Sequence, residues 1–89
     1  MNKNLRIIYM GTPEFAVAGL ELLVENGWNI VGVITAPDKP KGRGQKLIPS
    51  PVKEAALKLN LNILQPTNLK SPEFQDELRA LKADLQIVV

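Results

Sequence analysis

Short apolar runs and one-sided apolar stripes alternate along this chain, punctuated by glycine and proline. In Leu5–Met10, LRIIYM, five of six residues are apolar, with β-branched Ile7 and Ile8 at the centre. Such a run, ended by Gly11, predicts a strand buried on both faces. Gly11 permits a sharp turn, and Thr12-Pro13 then opens a helix. Thr12 can accept a bond from an early helical N–H, and Pro13 gives up a donor that the first turn does not need. The helix runs to about Asn26. Ala16, Leu20 and Leu23 share one face, with Phe15, Gly19 and Leu22 beside them. Gly27 suits a left-handed exit from the helix. Trp28–Thr35, WNIVGVIT, predicts a second buried strand. Two such strands joined by one helix predict a right-handed parallel crossover.

Ala36–Pro51 breaks the pattern. It holds Pro37, Pro40, Pro49 and Pro51 with Gly42 and Gly44, and it predicts an irregular loop. Ser50-Pro51 repeats the cap-and-proline start, and Val52, Ala55, Ala56 and Leu59 form a helical stripe. Asn62–Leu64 predicts a short strand near a sheet edge. After a loop at Gln65–Lys70, Ser71-Pro72 starts a third helix with a stripe of Phe74, Leu78 and Leu81. Glu73 and Asp76 lie in its first turns, where the helix dipole favours negative charge. Leu85–Val89, LQIVV, predicts a fourth strand. The fold class is α/β: a Rossmann-like parallel sheet with flanking helices, four strands and three helices in all.

A doubly wound sheet covered on both faces usually needs more than these 89 residues. The sequence also stops inside its fourth strand, where such folds begin to deliver a site. The chain is therefore expected to be the front of a larger protein, with the sheet incomplete. Alone, it would present an open, Val-rich edge on that strand and is expected to self-associate through it.

Composition narrows the chemistry. There is no histidine and no cysteine, so the commonest general base and any disulfide framework are missing. Lys3 and Arg6 flank a strand-like run without a signal peptide's apolar region and cleavage site, and no apolar run is long enough for a bilayer. A cytoplasmic protein without membrane association is expected. The net charge is only +2, but it is concentrated. Segment 36–51 carries Lys39, Lys41, Arg43 and Lys46 against Asp38 alone, while the remainder holds seven basic and eight acidic residues.

Gly11-Thr12-Pro13 lacks the further glycines of a dinucleotide fingerprint, so it reads as a tight turn and a capped helix, or as N–H groups facing an anionic part of a ligand. The segment PDKPKGRGQKLIPSP reads either as a solvated loop or as a polyanion ligand. Its length for an α/β connection, and cations at near-alternate spacing around two glycines, favour phosphate-backbone binding. Asp38 reads as a turn residue or a local partner of Lys39 or Lys41, Asp84 as a turn residue, Trp28 as a packing anchor and Ser50 as a helix cap. The other carboxylates read as solvated helix faces and form no catalytic set.

LRIIYMGTPEFA (5–16), IVGVIT (30–35) and above all PDKPKGRGQKLIPSPVK (37–53) closely resemble the start of the bacterial methionyl-tRNA formyltransferase family, and LKADLQIVV resembles that family's fourth strand. Related folate-dependent formyltransferases and hydrolases share the fold but generally lack this basic loop. The resemblance covers the whole chain. It implies residues 1–89 as the N-terminal part of a formyltransferase domain, with the rest of that domain and a C-terminal tRNA-binding domain lying outside this sequence. It implies formyl transfer from 10-formyltetrahydrofolate, without a metal, to the amino group of methionyl-initiator-tRNA in a complete enzyme that is monomeric. It further implies that the loop inserts at the tRNA acceptor end, with Lys39, Lys41, Arg43 and Lys46 as RNA-binding residues and Arg43 foremost. The family's catalytic Asn, His and Asp and its folate pocket have no counterpart in this sequence. The 89 residues are thus expected to be inactive alone, carrying part of the tRNA-contacting surface. Two other readings stay open: a freestanding nucleic-acid-binding module using the same loop, and another Rossmann-like nucleotide or nucleotide-sugar enzyme.

Overall fold

The structure is a computed structural model and describes residues 4–11, 14–41 and 46–89. β1 (Arg6–Met10) is followed by α1 (Phe15–Glu25) and β2 (Asn29–Ile34), then by β3 (Lys39–Lys41) and β4 (Lys46–Ile48). α2 (Pro51–Lys58), β5 (Ile63–Leu64), α3 (Pro72–Leu81) and β6 (Leu85–Val88) complete the order. Four strands form one sheet in the order β5-β2-β1-β6, and every pairing in it is parallel. The expected α/β sheet with three helices is present, with β5 at an edge.

β1 is the centre of this sheet, and its alternation builds two cores. Ile7 and Tyr9 pack with Ala16 and Leu20 of α1 and with Val52, Ala55 and Ala56 of α2. Ile8 packs with Phe74 of α3, joined by Leu78 and Leu81. Ile7, Ile8 and Tyr9 are each at most 2% exposed, so neither face of the strand meets water. Tyr9 keeps its hydroxyl satisfied there by donating to the Ala16 carbonyl at 2.7 Å. Gly19 makes this approach possible: a Cβ on it would stand 2.7 Å from the same hydroxyl.

β2 departs from strict alternation. Ile7 pairs with Ile30 but Ile8 pairs with Gly32, which leaves Val31 as an extra residue, a bulge. Ile30 and Val33 consequently reach the same core although they are three positions apart, and Ile34 reaches the other. Gly32 lies beside Leu81, whose Cδ1 would be 2.9 Å from an added Cβ.

Three expectations are corrected. First, segment 36–51 is not irregular throughout. β3 and β4 form an antiparallel pair with Lys39 opposite Ile48, Pro40 opposite Leu47 and Lys41 opposite Lys46. A two-stranded ribbon consists of edges alone, and a proline whose nitrogen faces outward removes no ladder bond. Second, α1 begins at Phe15. Glu14 occupies the cap position with helical backbone angles and no side-chain cap bond, and the expected Thr12-Pro13 start lies outside the described residues. Third, the buried stripe of α1 is narrower than its sequence pattern, because Phe15 and Leu22 are 70% and 60% exposed. The other two starts are as expected: Ser50 accepts from the Lys53 N–H and Ser71 from the Phe74 N–H, each at 3.1 Å. Gly27 leaves α1 at φ +82.

Leu20→Ala is expected to destabilise by about 3 kcal/mol, as for other fully buried leucines, and Leu22→Ala by less than about 0.5 kcal/mol, as for an exposed position. Urea unfolding of the two variants checks the orientation of α1. Ser71→Ala is expected to lose about 1 kcal/mol in the same measurement by removing the cap of α3.

Candidate nucleic-acid interface

The chain runs from β1 outward to β2 and β5, then crosses to the other side of β1 to form β6. The strand order therefore reverses beside β1, and ligands of such sheets bind beyond the carboxyl ends of the strands near that reversal. On this edge Met10, Ile34, Thr35, Ala36, Pro66, Thr67 and Leu69 line an open cleft of about 300 Å³. The basic segment leaves the sheet from the same edge, immediately after β2.

Its neck is tied down by polar side chains. Thr35 is 4% exposed, and its Oγ1 lies 2.7 Å from Ser50 Oγ. Lys53 Nζ donates to both carboxylate oxygens of Asp38 at 2.9 Å. Gln65 Nε2 donates to Asp38 Oδ1 at 2.8 Å and to the Ala36 carbonyl at 3.0 Å. Ser50 thus caps α2 as expected and also joins the neck. Asp38 is corrected: its partners are Lys53 and Gln65 rather than the adjacent Lys39, and the side chain of Lys41 lies outside the described ones. The first turn of α2 brings Lys53 back to the strand end.

The Gln65 bond, followed by the Lys53 bond, holds the Asp38 carboxyl below its ordinary value of 3.8. A depressed carboxyl stabilises the fold above its unfolded value, and that contribution is lost as pH falls through the lowered one. The Asp38 carboxylate is therefore charged at neutral pH. Lys53 and Gln65 had no recognisable signal as site residues. Only the fold brings a helix start and the end of an edge strand against Asp38.

Of the four expected RNA-binding residues, Lys39 stands exposed on β3, opposite Ile48. Lys41 and Lys46 are register partners at the open end of the ribbon. Arg43 lies outside the described residues. Trp28 is half-buried against the larger core, as its reading as an anchor requires. Asp84 accepts from the Arg6 N–H at 2.8 Å and so pins the start of β6 to β1, which is more than a turn residue does. Among the described residues no group of acidic residues could hold a metal ion, and no helix is long and apolar enough to cross a membrane.

The family model described as Formyl transferase matches residues 3–89. A methionyl-tRNA formyltransferase of Bacteroides thetaiotaomicron is 62% identical over 87 residues, covering 98% of this chain and 27% of the relative. The enzyme of that name from Flavobacterium johnsoniae is also 62% identical over 87 residues, covering 98% and 28%. That of Pseudomonas fluorescens is 53% identical over 89 residues, covering 100% and 28%. The chain thus spans little more than a quarter of the length of these relatives, and nothing in them supports a freestanding nucleic-acid-binding module. With a parallel sheet of the expected topology and a family match along nearly its whole length, this chain belongs to the formyl transferase family.

Proposed function

We propose that residues 1–89 are the first part of a formyltransferase domain in a protein that formylates the amino group of methionyl-initiator-tRNA with 10-formyltetrahydrofolate. The names of the relatives support the reaction. The observation that carries this chain's share of it is the β3–β4 ribbon, which places the basic segment at the ligand-binding edge of the sheet. In this reading Lys39, Lys41, Arg43 and Lys46 contact phosphates near the tRNA acceptor end and hold the aminoacyl group over the carboxyl edge of the sheet.

The reaction itself sets what such a surface must do. The attacking amine has to lose a proton, and the tetrahedral intermediate needs donors for its oxyanion. No histidine is available in these residues for the first task. Their share is substrate positioning, which converts an encounter into a fixed geometry.

The edge of β6 belongs to the same proposal. Leu85, Val88 and Val89 are 46%, 68% and 46% exposed along it, an apolar edge suited to further pairing. We expect more of the formyltransferase domain to cover it in the complete protein. The 89-residue chain by itself is expected to self-associate, and light scattering that found it strictly monomeric would count against this use of the edge.

In the full-length protein, Arg43→Ala is expected to raise KM for methionyl-tRNA about tenfold and to lower the salt-dependence slope of tRNA binding by about 1. KM for the formyl donor is expected to stay unchanged. Steady-state kinetics at several salt concentrations check this, and unaltered tRNA kinetics would remove Arg43 from the interface.

A further inference from the structure

The ribbon is closed at its neck by side chains from three elements. Asp38, just before β3, is held by Lys53 of α2 and by Gln65 beyond β5. Ser50, the cap of α2 after β4, meets Thr35 just past β2. The two rungs, 35–50 and 38–53, each join residues 15 positions apart and are offset by three positions along the chain. They bracket all four cations of the segment. The main sheet makes no pairing with β3 or β4, so among the described residues the strands of the ribbon pair only with each other.

Asp38 is at first sight misplaced. A carboxylate at the base of a cationic ribbon weakens the attraction for a polyanion by simple electrostatics. Lys53, in turn, is a cation whose side chain is only 20% exposed and whose charge is already met by a carboxylate at 2.9 Å. A phosphate would have to displace that partner. Both residues make sense as geometry rather than as charge.

We infer that Asp38, Lys53 and Gln65 are positioning residues: they form a clasp that sets the direction in which the cationic ribbon leaves the sheet edge, and Lys53 is not itself a phosphate ligand. This rests on the reading of the ribbon as an RNA-binding element. A ribbon held in one direction has less conformational freedom to lose on binding, which is how preorganisation raises affinity. Gln65 completes the clasp by tying the carboxylate and the Ala36 carbonyl to the loop after β5, so that a rotation of the neck must break contacts to two elements at once.

The test uses full-length protein with Asp38→Asn, Lys53→Met, the double variant, Lys53→Arg and Gln65→Met, beside Arg43→Ala. Asp38→Asn removes a negative charge, so electrostatics alone would tighten tRNA binding. The clasp requires the opposite sign: KM for methionyl-tRNA rises about tenfold in Asp38→Asn and in Lys53→Met, and the double variant is no worse than either, because both break one contact. Lys53→Arg restores most of the loss. Gln65→Met, which changes no charge and serves if Asp38→Asn folds poorly, raises KM about threefold on the same grounds. In every variant kcat at saturating tRNA and KM for the formyl donor stay within about twofold, since a positioning contact moves substrate capture alone.

If Lys53→Met raises KM while Asp38→Asn leaves or lowers it, Lys53 is a direct phosphate contact and the clasp is refuted. If neither changes KM while Arg43→Ala does, the ribbon binds tRNA without the clasp and the inference falls alone. If Arg43→Ala has no effect either, the RNA-binding reading fails, and tryptic cleavage within 39–46 still reads the clasp. That cleavage is expected to accelerate about tenfold in Asp38→Asn and Lys53→Met, and an unchanged rate overturns the inference.

Discussion

A parallel strand buried on both faces cannot stand without cover on each side, and β1 imposes this requirement on the whole chain. Its two neighbours satisfy its backbone, and its alternating side chains then need an apolar layer above and another below. α1 and α2 supply one layer and α3 the other. The crossovers, the order of the strands and the placement of every helix follow from meeting that demand with short connections. Close contacts at Gly19 and Gly32 show how little slack is left between the layers.

The same constraint makes one edge of the sheet chemically free. In the central strands β1 and β2 the ladders use the backbone on both sides, and most side chains are used by the two cores. Beyond the carboxyl ends of the strands neither holds. Thr35, Ala36, Asp38 and Gln65 all lie there; the Thr35 N–H still reaches the Leu64 carbonyl of β5, but the side chains of Thr35, Asp38 and Gln65 meet one another's elements and the start of α2. The cleft and the basic ribbon occupy this region together. A ribbon that begins at such an edge inherits the rigidity of the sheet at its base.

Charge is distributed along the same lines. The bulk of the chain is nearly neutral, and the positive excess is confined to segment 36–51. The neck compensates its own charges through the Asp38–Lys53 pair, which is about three-quarters buried. In sequence, Asp38 is the one acidic residue among the four cations of segment 36–51. A compensated charge pair at the root suits an element that is stiff where it attaches. Membership in the formyl transferase family gives this arrangement its context, since the relatives are named for a tRNA substrate.

Much of the fold was legible in the residues themselves. Buried strands of apolar, β-branched residues and the Ser-Pro starts of α2 and α3 are local signals, set by propensity and by a cap within three residues. The four cations of 36–51 were equally plain as a charge pattern. Three features were not. The bulge at Val31 depends on how β2 must slide to serve two cores, which no period in its own sequence reveals. The ribbon hid behind its prolines, because whether a proline breaks a strand depends on which side the missing donor faces. The Asp38–Lys53–Gln65 cluster joins residues up to 27 positions apart, and no local pattern in the sequence points to those partners. Local chemistry determined which segments became helix or strand; the tertiary structure alone decided which polar groups meet at the sheet edge, because a strand end, a helix start and an edge loop converge there only after the layers have packed.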